Sequence, residues 1–203
     1  TKDLKEGVIL AVETLANEAL YWWKQNNNIP VSDYTDDTFE SEVKDDCLTI
    51  IYRLLFLFYA ESRDELEILP VDDEVYKLGY SLESLRDLEM VRLNSAASAN
   101  GYFFDDSIRH LFSLLSDGHN FKESNINNKS FRVRPIDSPL FNDNNLKHLA
   151  NVRIRNIKWQ EIIKALSLSK KKNYCGRISY ANLGVNQLGS VYESLLAFRG
   201  FYA

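Results

Sequence analysis

The run LTIIYRLLFLFYA, from Leu48 to Ala60, has apolar residues on almost every side of a helical projection, interrupted mainly by Arg53. A helix apolar all round is buried all round, so the fold is expected to form around this segment. Its stripe begins earlier. Phe39, Val43, Cys47, Ile50, Leu54 and Phe58 step by three or four, which predicts one long helix from near Thr38, with Asp36 or Asp37 near its cap. Val8, Val12, Leu15, Ala16, Ala19 and Trp23 recur at the same spacing and predict a first helix from Asp3, a capping residue, to about Asn26. NNNIPVSDYTDD lies between the two and reads as a connector, with Pro30 among turn-forming polar residues.

Beyond Pro70 the pattern shortens. Val75 to Glu89 predicts one or two brief helices, with Leu78, Leu82, Leu85 and Leu88 available for packing. Ile108, Leu111, Phe112 and Leu115 form the stripe of another helix, Asp105 to Asp117. Asp105 and Asp106 favour its N-terminus and Gly118 its end. His119 to Asn145 is irregular and rich in Asn and Ser; FRVRP within it suits a short strand that Pro135 confines to an edge. Leu146 to Leu168 returns to helical periodicity, SKKKN reads as a loop, and a last helix starts near Val185. The expected fold class is mainly α: an irregular multi-helix domain around a long buried central helix, with at most a small β element. One domain is expected over residues 1–203.

Composition agrees with a globular chain. Of 203 residues, 45% are hydrophobic and 26% charged, which is ordinary for a folded domain. The longest apolar run, Leu54 to Ala60, is far below the roughly 20 residues that span a bilayer. The opening residues carry no basic-then-apolar leader pattern. Cys47 and Cys175 are the only cysteines and lie far apart, which suits a reducing compartment better than a disulfide framework. A cytoplasmic location is expected.

Charge changes the picture more. Thr1 to Glu89 holds 8 basic and 21 acidic residues, whereas Asn145 to Ile178 holds 9 and 1. The nine are Lys147, Arg153, Arg155, Lys158, Lys164, Lys170, Lys171, Lys172 and Arg177, with Trp159 and Tyr174 among them. Such a segment is the usual footprint of nucleic-acid phosphate contacts. It is equally what a solvated face looks like when it balances the acidic half of its own domain.

Other chemistry-bearing patterns fall short. Gly184 to Ser190 has the spacing of a phosphate-binding loop without the lysine that supplies its charge. Gly184 is better read as a turn, and Gly189 as a site where another backbone comes close. Leu188, Val191, Tyr192, Leu195 and Leu196 then form an apolar face. Glu42-Val43-Lys44 matches the Glu-x-Lys triplet of metal-dependent nucleases, but those need it on a strand, and here Val43 belongs to a helical stripe. His110, His119 and His148 lack the paired spacing of a zinc site; His119 instead suits a cation at a helix C-terminus. No catalytic constellation emerges, and neither a metal nor a cofactor is expected to bind this chain.

Three stretches in order resemble a family. YRLLFLFYAESRDELEILP (52–70) and YSLESLRDLE (80–89) look like parts of the helical region of large N6-adenine-specific DNA methyltransferases. ISYANLGVNQLGSVYESLLAF (178–198) is similar to the run that immediately precedes their catalytic domain. The family includes single-chain restriction–modification enzymes and the methylases of phage-defence systems of the BREX and DISARM kind. Its S-adenosylmethionine loop and Asn-Pro-Pro-aromatic motif are missing here: Pro30, Pro70, Pro135 and Pro139 are never tandem. The resemblance therefore implies no catalytic residue at any position. It implies a helical connector domain, a piece of a longer protein that stops where the methyltransferase would begin. The parent would use S-adenosylmethionine. The expected partners are its flanking domains and, weakly and without sequence preference, DNA backbone at the nine basic residues. A structural or protein-interaction domain without DNA contact is the alternative.

Overall fold

A computed structural model of the chain describes residues 2–26, 37–120, 132–171 and 174–196. Of the expected connector, residues 26–37, all but its two ends, Asn26 and Asp37, lie outside them. Helix α2, Asp37–Glu61, is the long central helix. Leu48, Ile51, Leu54, Leu55, Leu57 and Phe58 are buried on it, and they point in directions too divergent for one face. Arg53, the one charged residue of the run, is fully buried as well. Its Nε donates to Leu140 O (2.6 Å), its Nη1 pairs with Asp143, and its guanidinium lies over the Phe112 and Phe141 rings.

Around α2 stand α1 (Lys2–Gln25), α3 (Glu74–Gly79), α4 (Leu82–Asp87), α5 (Ala96–Asn100), α6 (Phe103–Asp117), α7 (Asn156–Ser167) and α8 (Val185–Leu196). Strands β1 (His119–Asn120) and β2 (Arg132–Val133) pair antiparallel, as do β3 (Leu168–Lys171) and β4 (Tyr174–Arg177). The architecture is mainly α with small β ribbons. Helix α1 packs against both α2 and α7. Gly7 permits the second contact: a Cβ there would lie 2.0 Å from Ala165 O.

Several expectations give way. Leu78 is 77% exposed, and Tyr76 takes the inner side of α3 instead. Asp3 lies inside the first turn of α1, where its carboxylate accepts from Ser169 Oγ of β3 (2.5 Å). SKKKN is not a plain loop, because Lys170 pairs with Cys175 and Lys171 with Tyr174 in a hairpin. Around Gly189 no described residue lies within 4 Å of a Cβ, so the expected close backbone approach does not occur among the described residues. Gly118 does end α6, with φ of 73°.

The largest revision concerns the segment 146–155, which is an irregular run of bends and a turn rather than a helix although Leu146, Leu149, Val152 and Ile154 are buried. Side chains of other helices take its backbone groups. Asp46 of α2 accepts from the N–H groups of Lys147, His148 and Leu149 at 2.7–3.1 Å. Arg109 of α6 donates to Ala150 O and Val152 O, and Glu18 of α1 accepts from the Arg155 N–H. A backbone supplied with partners in this way has no need of the i→i−4 ladder.

Candidate functional site

Each described cation of the basic segment can be followed to its partner. Lys147 Nζ is 2.6 Å from Glu42 Oε1, and His148 Nε2 is 2.8 Å from Glu42 Oε2. Arg153 reaches Asp105 (2.6 Å) and Asp106 (2.5 Å) and stacks over the Tyr102 ring at 4.6 Å. Arg155 grips Glu18 with Nε (2.6 Å) and Nη2 (2.8 Å) and lies 3.8 Å over the Tyr21 ring. Lys158 pairs with Glu161 one turn on, at 2.8 Å. Lys164 Nζ donates to Gln160 Oε1 at 3.5 Å. Arg177 reaches Asp87 (2.9 Å), Glu89 (3.1 Å) and Glu83 (3.5 Å). The side chains of Lys170 and Lys171, and all of Lys172, lie outside the described residues.

The two halves of the charge asymmetry therefore meet. Glu18, Glu42, Glu83, Asp87 and Glu89 belong to the acidic first part of the sequence, and their partners belong to the basic segment. Helix packing brings them together: α1 supplies Glu18, α2 supplies Glu42, and α4 with the turn after it supplies the rest. Titration follows geometry. The hydrogen bond from Lys147 holds the Glu42 carboxyl low, and Glu42 in turn raises Lys147. Glu18 raises Arg155, and Asp87 raises Arg177.

The most buried acid is Asp105, fully enclosed. It accepts from Trp159 Nε1 (3.0 Å), Arg109 Nε (3.0 Å) and Arg153 Nε (2.6 Å). A buried carboxylate survives only when its lone pairs are taken up in this way. The sequence suggested Asp105 as a helix N-terminal residue, and its hub role is legible only in three dimensions. Trp159, one of the two aromatic residues noted among the basic ones, is buried on that carboxylate.

The Glu-x-Lys triplet sits on α2, with Val43 buried and Glu42 committed to Lys147 and His148. No group of three or more His, Cys, Asp or Glu poised around a metal occurs among the described residues. No described helix is long and apolar enough to cross a membrane.

Nothing in the hydrophobic pattern pointed to an apolar rim around the start of α7. Tyr21, Met90, Val91, Tyr102, Phe103 and Ile157 are all at least 37% exposed. The Arg155 and Arg153 stacks hold the two tyrosines there, Gln160 Nε2 donates to Val91 O (2.7 Å), and Asn156 Oδ1 accepts from the Phe104 N–H (3.0 Å).

Compared with protein-family models, with curated proteins and with solved structures, the chain matches none.

Proposed function

We propose that this chain is a non-catalytic helical connector domain of the kind it resembles in N6-adenine-specific DNA methyltransferases, working in the cytoplasm between an N-terminal region and a methyltransferase domain. S-adenosylmethionine serves the neighbouring domain, and the flanking domains of the same protein are the main partners. One observation supports this reading above the rest. The charged side chains are spent on joining elements to one another, as in Glu18–Arg155, Glu42–Lys147 and Glu89–Arg177. That is the use a rigid spacer makes of charge.

On this reading Lys147, Arg153, Arg155, Lys158 and Arg177 contribute little to DNA, because each already faces a carboxylate. Backbone contact falls to Lys164 and to Lys170, Lys171 and Lys172. Binding is weak and sequence-independent, about 10⁻⁴ to 10⁻⁶ M or weaker, and fades as salt rises because each phosphate contact releases counterions. A titration of labelled duplex at two salt concentrations tests this. Replacing Lys170, Lys171 and Lys172 by Ala weakens binding and flattens the salt slope; replacing Lys2 and Lys5 does neither. No binding at low salt, or identical behaviour of the two variants, removes the DNA contact.

The apolar rim around α7 favours a second reading, a protein-interaction domain without DNA contact. Exposed Tyr, Phe and Met interleaved with Arg are what interface centres are enriched in. That reading takes the lead if the titration fails.

A further inference from the structure

Helix α3 turns one side to the core and leaves the other uncovered. Tyr76 points inward, where its hydroxyl donates to Glu61 Oε1 (2.8 Å). Val75 is 52% exposed and Leu78 77%. Three residues apart, they are neighbours on one side of the helix. Glu74 lies one turn before Leu78 on that side and Gly79 one turn after Val75. Around Gly79 no described residue lies within 4 Å of a Cβ.

The chain leaves α2 at Glu61 and returns to it at Tyr76, so residues 62–75 form a closed surface loop. That loop adds the exposed Leu66. It also carries six acids, Asp64, Glu65, Glu67, Asp72, Asp73 and Glu74, against one base, Arg63. Arg63 reaches Glu65 (3.3 Å). Asp64 accepts from the Glu65 N–H, and Asp73 caps α3 by accepting from the Val75 and Tyr76 N–H groups. Glu67, Asp72 and Glu74 are exposed and meet no donor among the described residues. Glu18, Glu42 and Glu89 are spent on the basic segment; these three acids are spent on nothing inside the domain.

An apolar face among unpaired carboxylates selects its occupant. A second copy of this chain would bring the same carboxylates to it, and an anionic lipid surface or a nucleic acid would be repelled. Residues 62–79 hold no strand to which an extended peptide could be added. Apolar side chains one helical turn apart instead match the ridge of another helix laid across them. We propose that this face of α3 docks a basic amphipathic helix of another polypeptide, whose apolar side chains cover Val75 and Leu78 and whose Lys or Arg side chains meet Glu67, Asp72 and Glu74. The contact is small and charge-assisted, so it is weak and fades with salt.

The test is an NMR titration of the ¹⁵N-labelled chain with a synthetic amphipathic helix of Leu and Lys, about 18 residues long. One comparison peptide has the same composition in scrambled order, and another has Glu in place of Lys. Saturable shifts at Leu66, Val75, Leu78 and Gly79 are expected, with a dissociation constant on the order of 10⁻⁵ to 10⁻⁴ M. Both comparison peptides should bind at least about 10-fold more weakly. Leu78→Ser, and separately the triple variant Glu67→Gln, Asp72→Asn, Glu74→Gln, should each weaken binding at least about 10-fold. Neither should lower the melting temperature, because all four side chains are exposed. Removing the same charge elsewhere, by Glu13→Gln, Asp45→Asn and Asp117→Asn together, should leave binding unchanged; these three are exposed as well. Absence of saturable shifts at the four residues, equal binding of either comparison peptide, full binding in Leu78→Ser, or an equal loss in the two triple variants overturns the proposal. Shifts at the same residues on raising the protein concentration without peptide overturn it in favour of a second copy.

Discussion

The centre of α2 and the seam where the basic segment meets the acidic helices are both buried parts of one small domain, yet they are held differently. Around Leu54 and Phe58 the contacts are apolar and non-directional. Any arrangement that removes those side chains from water gains, at roughly 25 cal/mol per Å². Around Asp105, Glu18 and Glu89 every partner must be present. A buried carboxylate with one donor removed is worse than none at all. The first kind of region sets where the chain collapses; the second sets how the helices are aligned once it has.

Two substitutions head the tests, equal in size and different in kind. Phe58→Ala should cost about 3–5 kcal/mol through the cavity it leaves beside Tyr180. Asp105→Ala should cost about 3–5 kcal/mol by stranding the charged donors Arg109 and Arg153 and the indole of Trp159. Urea unfolding measures both, and Trp159→Phe separates them. It should combine non-additively with Asp105→Ala and additively with Phe58→Ala. Additivity in both pairs would dissolve the distinction drawn here.

Next in size is a pH effect. Burial pushes the Glu61 carboxyl from 4.5 up to about 7, against the pull of the Leu82 N–H, the Tyr76 hydroxyl and the Glu83 N–H. The folded state therefore holds a proton that the unfolded state has released between pH 4.5 and 7. Stability should fall as pH rises through that window, by at most about 3 kcal/mol from this group. Glu61→Gln should flatten the profile. Glu42 acts in the opposite sense and only below pH 4.5, since its folded value is lowered.

Two glycines give the next comparison. Gly7→Ala drives a methyl into Ala165 O and should cost about 1–3 kcal/mol. Gly189→Ala meets open space inside α8 and should be neutral or stabilise by up to about 1 kcal/mol. Thermal melts of the two variants decide it, and equal shifts would mean that α1 and α7 are not in contact at Gly7. The smallest effect belongs to the exposed edge of the seam. Lys158→Ala should change stability by under about 1 kcal/mol, because an exposed i,i+3 pair contributes little. A larger loss would show that ion pairs here matter even at the surface.

Legibility follows the same division. The stripes of α1, α2 and α6 were readable because apolar spacing reports a helix's own geometry: Val8, Val12 and Leu15, or Ile108, Leu111 and Leu115, are buried as their period requires. The segment 146–155 was misread because its apolar residues also fall at helical intervals, while its hydrogen-bond partners come from Asp46, Arg109 and Glu18, distant in sequence. Leu78 was misplaced because α3 is six residues long, too short for spacing to choose between Leu78 and Tyr76.

For the basic segment the sequence supplied the residues and left their use open between phosphate and internal carboxylates. By itself it determined a mainly α chain with α2 at the centre, since burial of an all-round apolar helix needs no knowledge of its neighbours. Tertiary structure alone decided that Arg153, Arg155 and Arg177 face Asp105, Glu18 and Glu89. Pairing of charges depends on distances of a few ångströms between residues dozens of positions apart, and neither composition nor periodicity carries that information.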